Sequence, residues 1–95
     1  MRAYESVFIL NPGLSKDSEE KVVSEIQEVI VRHKGEIIQK QSWGKRKLAS
    51  RLKKQNEGIY FFCEFKLSPA TVKKIENIFK INETILRTLI LRKEI

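Results

Sequence analysis

The chain has 95 residues, one cysteine, one histidine and a formal net charge of +7. That length supports a single domain, residues 1–95, with one core, and the lone thiol and lone imidazole exclude an internal disulfide, a C-x-x-C pair and an ordinary zinc site. The cation excess favours a phosphate-rich partner bound through counterion release.

Tyr4 to Leu10 is short, aromatic and β-branched, which predicts a strand, and Asn11-Pro12-Gly13 supplies a turn with a proline-fixed φ. Ser15 is placed to cap a helix, with Asp17, Glu19 and Glu20 near the positive end of its dipole. Val22, Ile26, Val29, Ile30 and His33 then recur at helical spacing as the inward face, while Lys21, Glu25, Glu28 and Arg32 face away. Gly35 is expected to end that helix as a left-handed cap.

Glu36 to Trp43 reads as a second strand that bends at Gly44 and can continue through Leu52, with the hairpin expected at Gln55-Asn56-Glu57-Gly58. Ile59 to Leu67 carries the strongest strand pattern in the chain. Ser68-Pro69 starts a second helix with Val72, Ile75, Ile78 and Phe79 inward, Asn82 ends it, and Ile85 to Lys93 closes the chain as a fourth strand. The order β-α-β-β-α-β, with right-handed crossovers, predicts an α+β ferredoxin-like split β-α-β sandwich. In it a four-stranded antiparallel sheet, strands one and three central, carries both helices on one face. The opposite face is then left open.

Alternation along the strands puts large apolar groups on both faces. Phe61, Cys63, Phe65 and Leu67 oppose Tyr60, Phe62, Glu64 and Lys66; Phe8 and Leu10 oppose Val7 and Ile9; Leu86, Thr88 and Ile90 oppose Arg87, Leu89 and Leu91. Either choice of core leaves an apolar patch on the open side, which is covered by a partner or by a return of the chain. No stretch approaches the roughly 18 apolar residues of a membrane span. The opening Met1-Arg2-Ala3-Tyr4-Glu5 carries an acid too early for a leader peptide, so a soluble chain used as synthesised is expected.

The run from Trp43 to Lys54 carries six cations, no carboxylate and one indole. A strand bearing that charge beside an open apolar face suits either of two nucleic-acid modes. The RNA-recognition motif stacks bases on central-strand aromatics, but Glu57-Gly58-Ile59-Tyr60-Phe61-Phe62-Cys63-Glu64 meets its pattern only at Gly58 and Phe61 and places acids at both ends. A structured-RNA binder that grips phosphates with cations and offers its apolar face to another protein fits Arg2, the 45–54 cluster, Arg87, Arg92 and Lys93 without base readout. Each group also has a plainer reading: Trp43 can close the edge of the core, and Lys53 and Lys54 can be solvated charges guarding an edge strand. Cys63, inside an apolar run, reads as a small buried thiol.

The chain also resembles a known family. Met1-Arg2-x-Tyr4-Glu5, Asn11-Pro12, Trp43-Gly44-Lys45-Arg46-Lys47-Leu48-Ala49, Gly58-x-Tyr60-Phe61 and Asn82-Glu83-x-Ile85-Leu86-Arg87-x-Leu89 are similar, in register and from end to end, to bacterial-type ribosomal protein number six of the small subunit. The resemblance implies a non-enzymatic component of the small ribosomal subunit, located in the ribosome of a bacterial cytoplasm or an organelle. It implies small-subunit rRNA and ribosomal protein number eighteen as partners, and no cofactor, metal, membrane or small-molecule substrate. By position it makes Arg2, Lys45, Arg46, Lys47, Arg87 and Arg92 the rRNA-contact candidates, and Trp43, Leu48, Tyr60 and Phe62 the protein-partner candidates. Two departures stand out: Ser50 occupies a position where an aromatic is usual, and the acidic C-terminal extension common in relatives is lacking.

Two other classes are weighed. An acylphosphatase-like enzyme on this fold needs a loop of backbone amides with an arginine aimed into it. Asn11-Pro12-Gly13-Leu14-Ser15 loses a donor to proline and has no arginine nearby, and no other catalytic set is visible. A regulatory ferredoxin-like module that dimerises through its open sheet face is the remaining alternative.

Overall fold

In the computed structural model, which describes residues 1–93, six elements follow in the expected order. They are β1 (Arg2–Leu10), α1 (Lys16–Arg32), β2 (Glu36–Leu52), β3 (Gln55–Leu67), α2 (Pro69–Lys80) and β4 (Ile85–Arg92). The sheet runs β2-β3-β1-β4 with every neighbouring pair antiparallel, so β1 and β3 are central as a split β-α-β fold requires.

The choice of core face follows from which alternating set is large throughout. Tyr4, Phe8 and Leu10 of β1 lie beside Ile59, Phe61, Cys63, Phe65 and Leu67 of β3, and all are buried with Ile26, Ile30, Ile75 and Phe79 of the helices. Phe8 sits at the centre, edge-on to Phe79 at 5.0 Å between ring centroids and 6.2 Å from Phe61. Ser6, on the same face of β1, donates its hydroxyl to the Cys63 carbonyl at 2.7 Å, which removes the penalty of its burial. Val72 packs at the margin of the core as expected, whereas Ile78 is exposed and does not face inward.

The helix ends show where glycine is needed and why. Ser15 caps α1 by accepting from the Ser18 amide at 3.1 Å. At the other end the left-handed residue is Lys34, at φ 69°, and not Gly35. The Lys34 amide bonds the Val31 carbonyl and the Gly35 amide bonds the Ile30 carbonyl, which is a Schellman closure shifted one residue earlier than expected. Gly35 is required for space instead: a β-carbon there would stand 2.7 Å from Ile30 Cγ2 and 2.9 Å from the Ile30 carbonyl oxygen. Ser68 occupies the N-cap of α2, but its side chain makes no capping bond. α2 stops at Lys80, and Asn82 instead builds the turn into β4, its Oδ1 accepting from the Thr84 amide and hydroxyl.

The β2–β3 hairpin departs most from expectation. β2 runs unbroken to Leu52, and the turn is the two-residue Lys53–Lys54, both at positive φ (48° and 69°), closed by the Leu52–Gln55 pair. This is the conformation that matches strand twist in tight hairpins, adopted here without the usual Asn-Gly. Gln55 to Gly58, expected as the turn, lies within β3. Gly58 is there because a β-carbon would come within 2.3 Å of Ile9 Cγ2. Since β1 ends at Leu10, opposite Ile59, the hairpin beyond Lys45 and Ile59 projects past the central strand as an arm.

Candidate nucleic-acid and protein interface

The sheet face opposite the helices is open and largely apolar. Strand register places Val7, Ile9, Tyr60, Phe62, Leu89 and Leu91 on it, and Leu89, Leu91 and Trp43 are 40, 57 and 39 % exposed. Large apolar groups so exposed and contiguous mark a contact surface.

Trp43 reaches this face through an irregularity. The register of β2 slips between Ser42 and Gly44, and Gly44 adopts φ +80° with open space around it, so conformation rather than room favours glycine. The extra residue brings the indole flat onto the Phe62 ring, 5.4 Å between centroids and 11° between planes. The Trp43 indole N–H donates to Gln41 Oε1 at 3.0 Å. The Arg46 guanidinium lies over the indole at 5.9 Å, a cation–π contact at the rim of the apolar patch. Leu48 approaches the same side, 3.6 Å from where a Gly58 β-carbon would stand, next to Ile9. Trp43, Leu48, Tyr60 and Phe62 therefore share one surface.

The predicted cations do not. Lys45 pairs with Ile59 and Lys47 with Glu57, which puts them on the helix side of the hairpin ribbon, whereas Arg46, opposite Gly58, lies on the open side. Arg87, opposite Ile9, is on the open side near the base of the arm. Arg2 pairs with Leu67, and Arg92 with Tyr4, so both lie toward the helix side at the far end of the sheet. Eight residue steps of strand separate Arg2 from Leu10, about 26 Å at the usual rise. Cations thus stand at both ends of the sheet, but of these six only Arg46 and Arg87, at the arm end, share the open side with the apolar surface, a pattern that sequence grouping alone did not resolve.

One polar cluster sits within the open face. Glu64 is buried there between Lys93, whose Nζ donates at 2.9 Å, and Gln39, whose amide donates at 3.0 Å. The Lys93 bond, and then the Gln39 bond, hold the Glu64 carboxyl below its ordinary value, and the same pair raises Lys93. A carboxyl depressed in the folded state adds stability above its ordinary value of 4.5 and loses it as pH falls through the lower folded value. Lys93 works in the opposite sense, its contribution lost only as pH rises through a value above 10.5. Urea midpoints taken from neutral pH downward should therefore fall on the acid side, and Glu64→Gln should flatten that fall; an unchanged acid limb would show the pair to be idle. Sequence placed Glu64 on this face but gave no sign of its partners, which come from two other strands' ends.

The described residues contain no group of three His, Cys, Asp or Glu side chains placed to hold a metal, and no helix long and apolar enough to cross a membrane. Burial pushes the Cys63 thiol up to about 11, so it carries almost no thiolate at neutral pH. His33 closes α1, its Nδ1 2.8 Å from the Val29 carbonyl oxygen.

Comparison with known proteins agrees with the fold. The family model described as Ribosomal protein S6 matches residues 3–92. The small ribosomal subunit protein bS6 of Clostridium acetobutylicum is 38 % identical over 94 residues, covering 99 % of each chain. That of Caldanaerobacter subterraneus is 35 % identical over 94 residues, again covering 99 % of each. Neither relative has room for a long extension beyond the matched region. Among solved structures, 30S ribosomal protein S6 from Thermotoga maritima superposes with a TM-score of 0.91 at 31 % identity, over 97 % of this chain and 87 % of the other.

Proposed function

The chain belongs to the ribosomal protein S6 family, and from that premise we propose that it is a non-enzymatic structural component of the small ribosomal subunit. In that role it binds small-subunit rRNA together with ribosomal protein number eighteen, in the compartment where the ribosome works. The observation that carries the reading is the open sheet face: Trp43 stacked on Phe62, with Tyr60 and Leu48 on the same surface and Arg46 and Arg87 at its arm end. An apolar centre with a charged rim is the anatomy of a protein contact that adjoins a polyanion. Arg2, Lys45, Arg46, Lys47, Arg87 and Arg92 are the phosphate-contact residues of this proposal, and Trp43, Leu48, Tyr60 and Phe62 its protein-contact residues.

The same apolar face would serve a module that dimerises with itself. Light scattering of the isolated chain separates the two readings. A monomer is expected, because the partner that covers the face is a different protein; a stable dimer at micromolar concentration would favour the self-associating module instead.

A further inference from the structure

The two central strands set like charges against each other on the open face. Glu5 of β1 stands directly opposite Glu64 of β3, and both side chains project away from the helices, since their chain neighbours Tyr4, Ser6, Cys63 and Phe65 are buried on the other side. The β-carbons of such a pair lie about 5 Å apart, and like charges in that relation destabilise a sheet.

One of the two carboxylates is neutralised and the other is not. Glu64 is buried and takes the Lys93 ammonium and the Gln39 amide, whereas Glu5 is exposed and has no side-chain hydrogen bond or ion pair among the described residues. Lys93 is raised first by its bond to Glu64, and the Glu5 charge adds to the same shift, so one ammonium serves two carboxylates. The other cation that strand register puts at this end of the open face, Lys66, stands opposite Glu36. One negative charge is therefore left over, beside Leu91, which pairs with Glu5 across β1 and β4 and is 57 % exposed.

That excess bears on what covers the face. A carboxylate repels phosphate, so nucleic acid does not suit this end, and a wholly apolar cover would bury the Glu5 charge unpaired at a high cost. A cation supplied by the covering molecule removes that cost and offsets the repulsion from Glu64. We propose that Glu5 is a specificity-determining residue of the open face, and that the protein covering it presents a guanidinium or ammonium group to the Glu5 carboxylate while its apolar groups meet Leu89 and Leu91. The inference rests on the proposed function, which makes the occupant a protein, and goes beyond it in fixing an ion pair at the end of the face away from the arm.

The test compares the full chain with its Glu5→Gln and Glu5→Lys variants by calorimetric titration with ribosomal protein number eighteen, by urea denaturation and by light scattering. Glu5→Gln should weaken the complex about tenfold and Glu5→Lys about a hundredfold. Neither should lower the urea midpoint, because the first removes the repulsion from Glu64 and the second turns it into an attraction. Affinity that is unchanged in both variants, or that falls only in step with the urea midpoint, overturns the proposal. So does a wild-type dimer that Glu5→Lys dissociates, because the cation would then come from Arg46 or Arg87 of a second copy. Wild-type chain that fails to associate with ribosomal protein number eighteen defeats the proposed function and this inference with it, whereas wild-type association left intact by both variants defeats this inference alone.

Discussion

Replacing Lys45, Arg46 and Lys47 together by glutamine should lower affinity for small-subunit rRNA by a factor of about 500 at 0.1 M salt. If each side chain meets one phosphate, the slope of log affinity against log salt falls by about 0.9 per contact, hence about 2.7 in all. Extrapolated to 1 M salt, where that electrostatic advantage vanishes, this slope corresponds to the stated factor. All three residues sit on the projecting arm, where β2 is paired only with β3, so their removal leaves the core untouched. Filter binding across a salt series, with circular dichroism as a check on folding, reads the effect. An unchanged slope would assign the three side chains to solvent.

The arm's geometry refines that expectation. Lys45 and Lys47 lie on one side of the ribbon and Arg46 on the other, where its guanidinium rests over the Trp43 ring. Arg46 therefore stands between the two proposed contacts. Substituted alone, it should affect both RNA slope and protein-partner affinity, whereas Lys45 and Lys47 should affect the slope only.

Phe62→Ala should weaken binding to ribosomal protein number eighteen by about 2 kcal/mol, roughly thirtyfold, as truncation of a central aromatic in a contact typically does. The ring is half-buried in the isolated chain and supports the indole from below at 5.4 Å. Removing it costs its own contact area and frees Trp43 and, with it, Arg46. Phe8, by contrast, belongs wholly to the core, packed on Phe61 and Phe79. A loss at Phe62 that appears in calorimetric titration with the partner but leaves the urea midpoint nearly in place distinguishes contact from packing. A large shift in the midpoint with unchanged affinity would reverse the assignment.

How much of this was legible in the sequence depended on whether the cause was periodic or conformational. Element order, central strands and the composition of both sheet faces follow from alternation and helical spacing, so Phe61, Cys63, Phe65 and Leu67 could be placed on one face at sight. Turn chemistry misled because the signal residues are present for other reasons. Gly35 and Gly58 are both needed for close approach, to Ile30 and Ile9 respectively, while the positive-φ positions nearby are held by lysines. Lysine has no special tolerance for that conformation, so nothing in Lys34, Lys53 or Lys54 announces it. Shifting the hairpin turn from 55–58 to Lys53–Lys54 matters to function, because it gives the arm its reach.

The site was legible in composition and not in geometry. Trp43, Leu48, Tyr60 and Phe62 come together because of the register slip at Ser42–Gly44 and the bare backbone at Gly58, neither of which a residue pattern reveals. Contiguity in the chain also suggested that the three cations after Gly44 act as one patch. Strand alternation divides them.

The central claim is that the open face and the charged ends act together, so that rRNA binding and protein binding are coupled. Filter binding of central-domain rRNA with this chain alone, with ribosomal protein number eighteen alone, and with both tests it directly. The account predicts weak binding by the chain alone and an affinity raised by at least about tenfold, or 1.4 kcal/mol of coupling, when the partner is present. Equal affinity with and without the partner would contradict it.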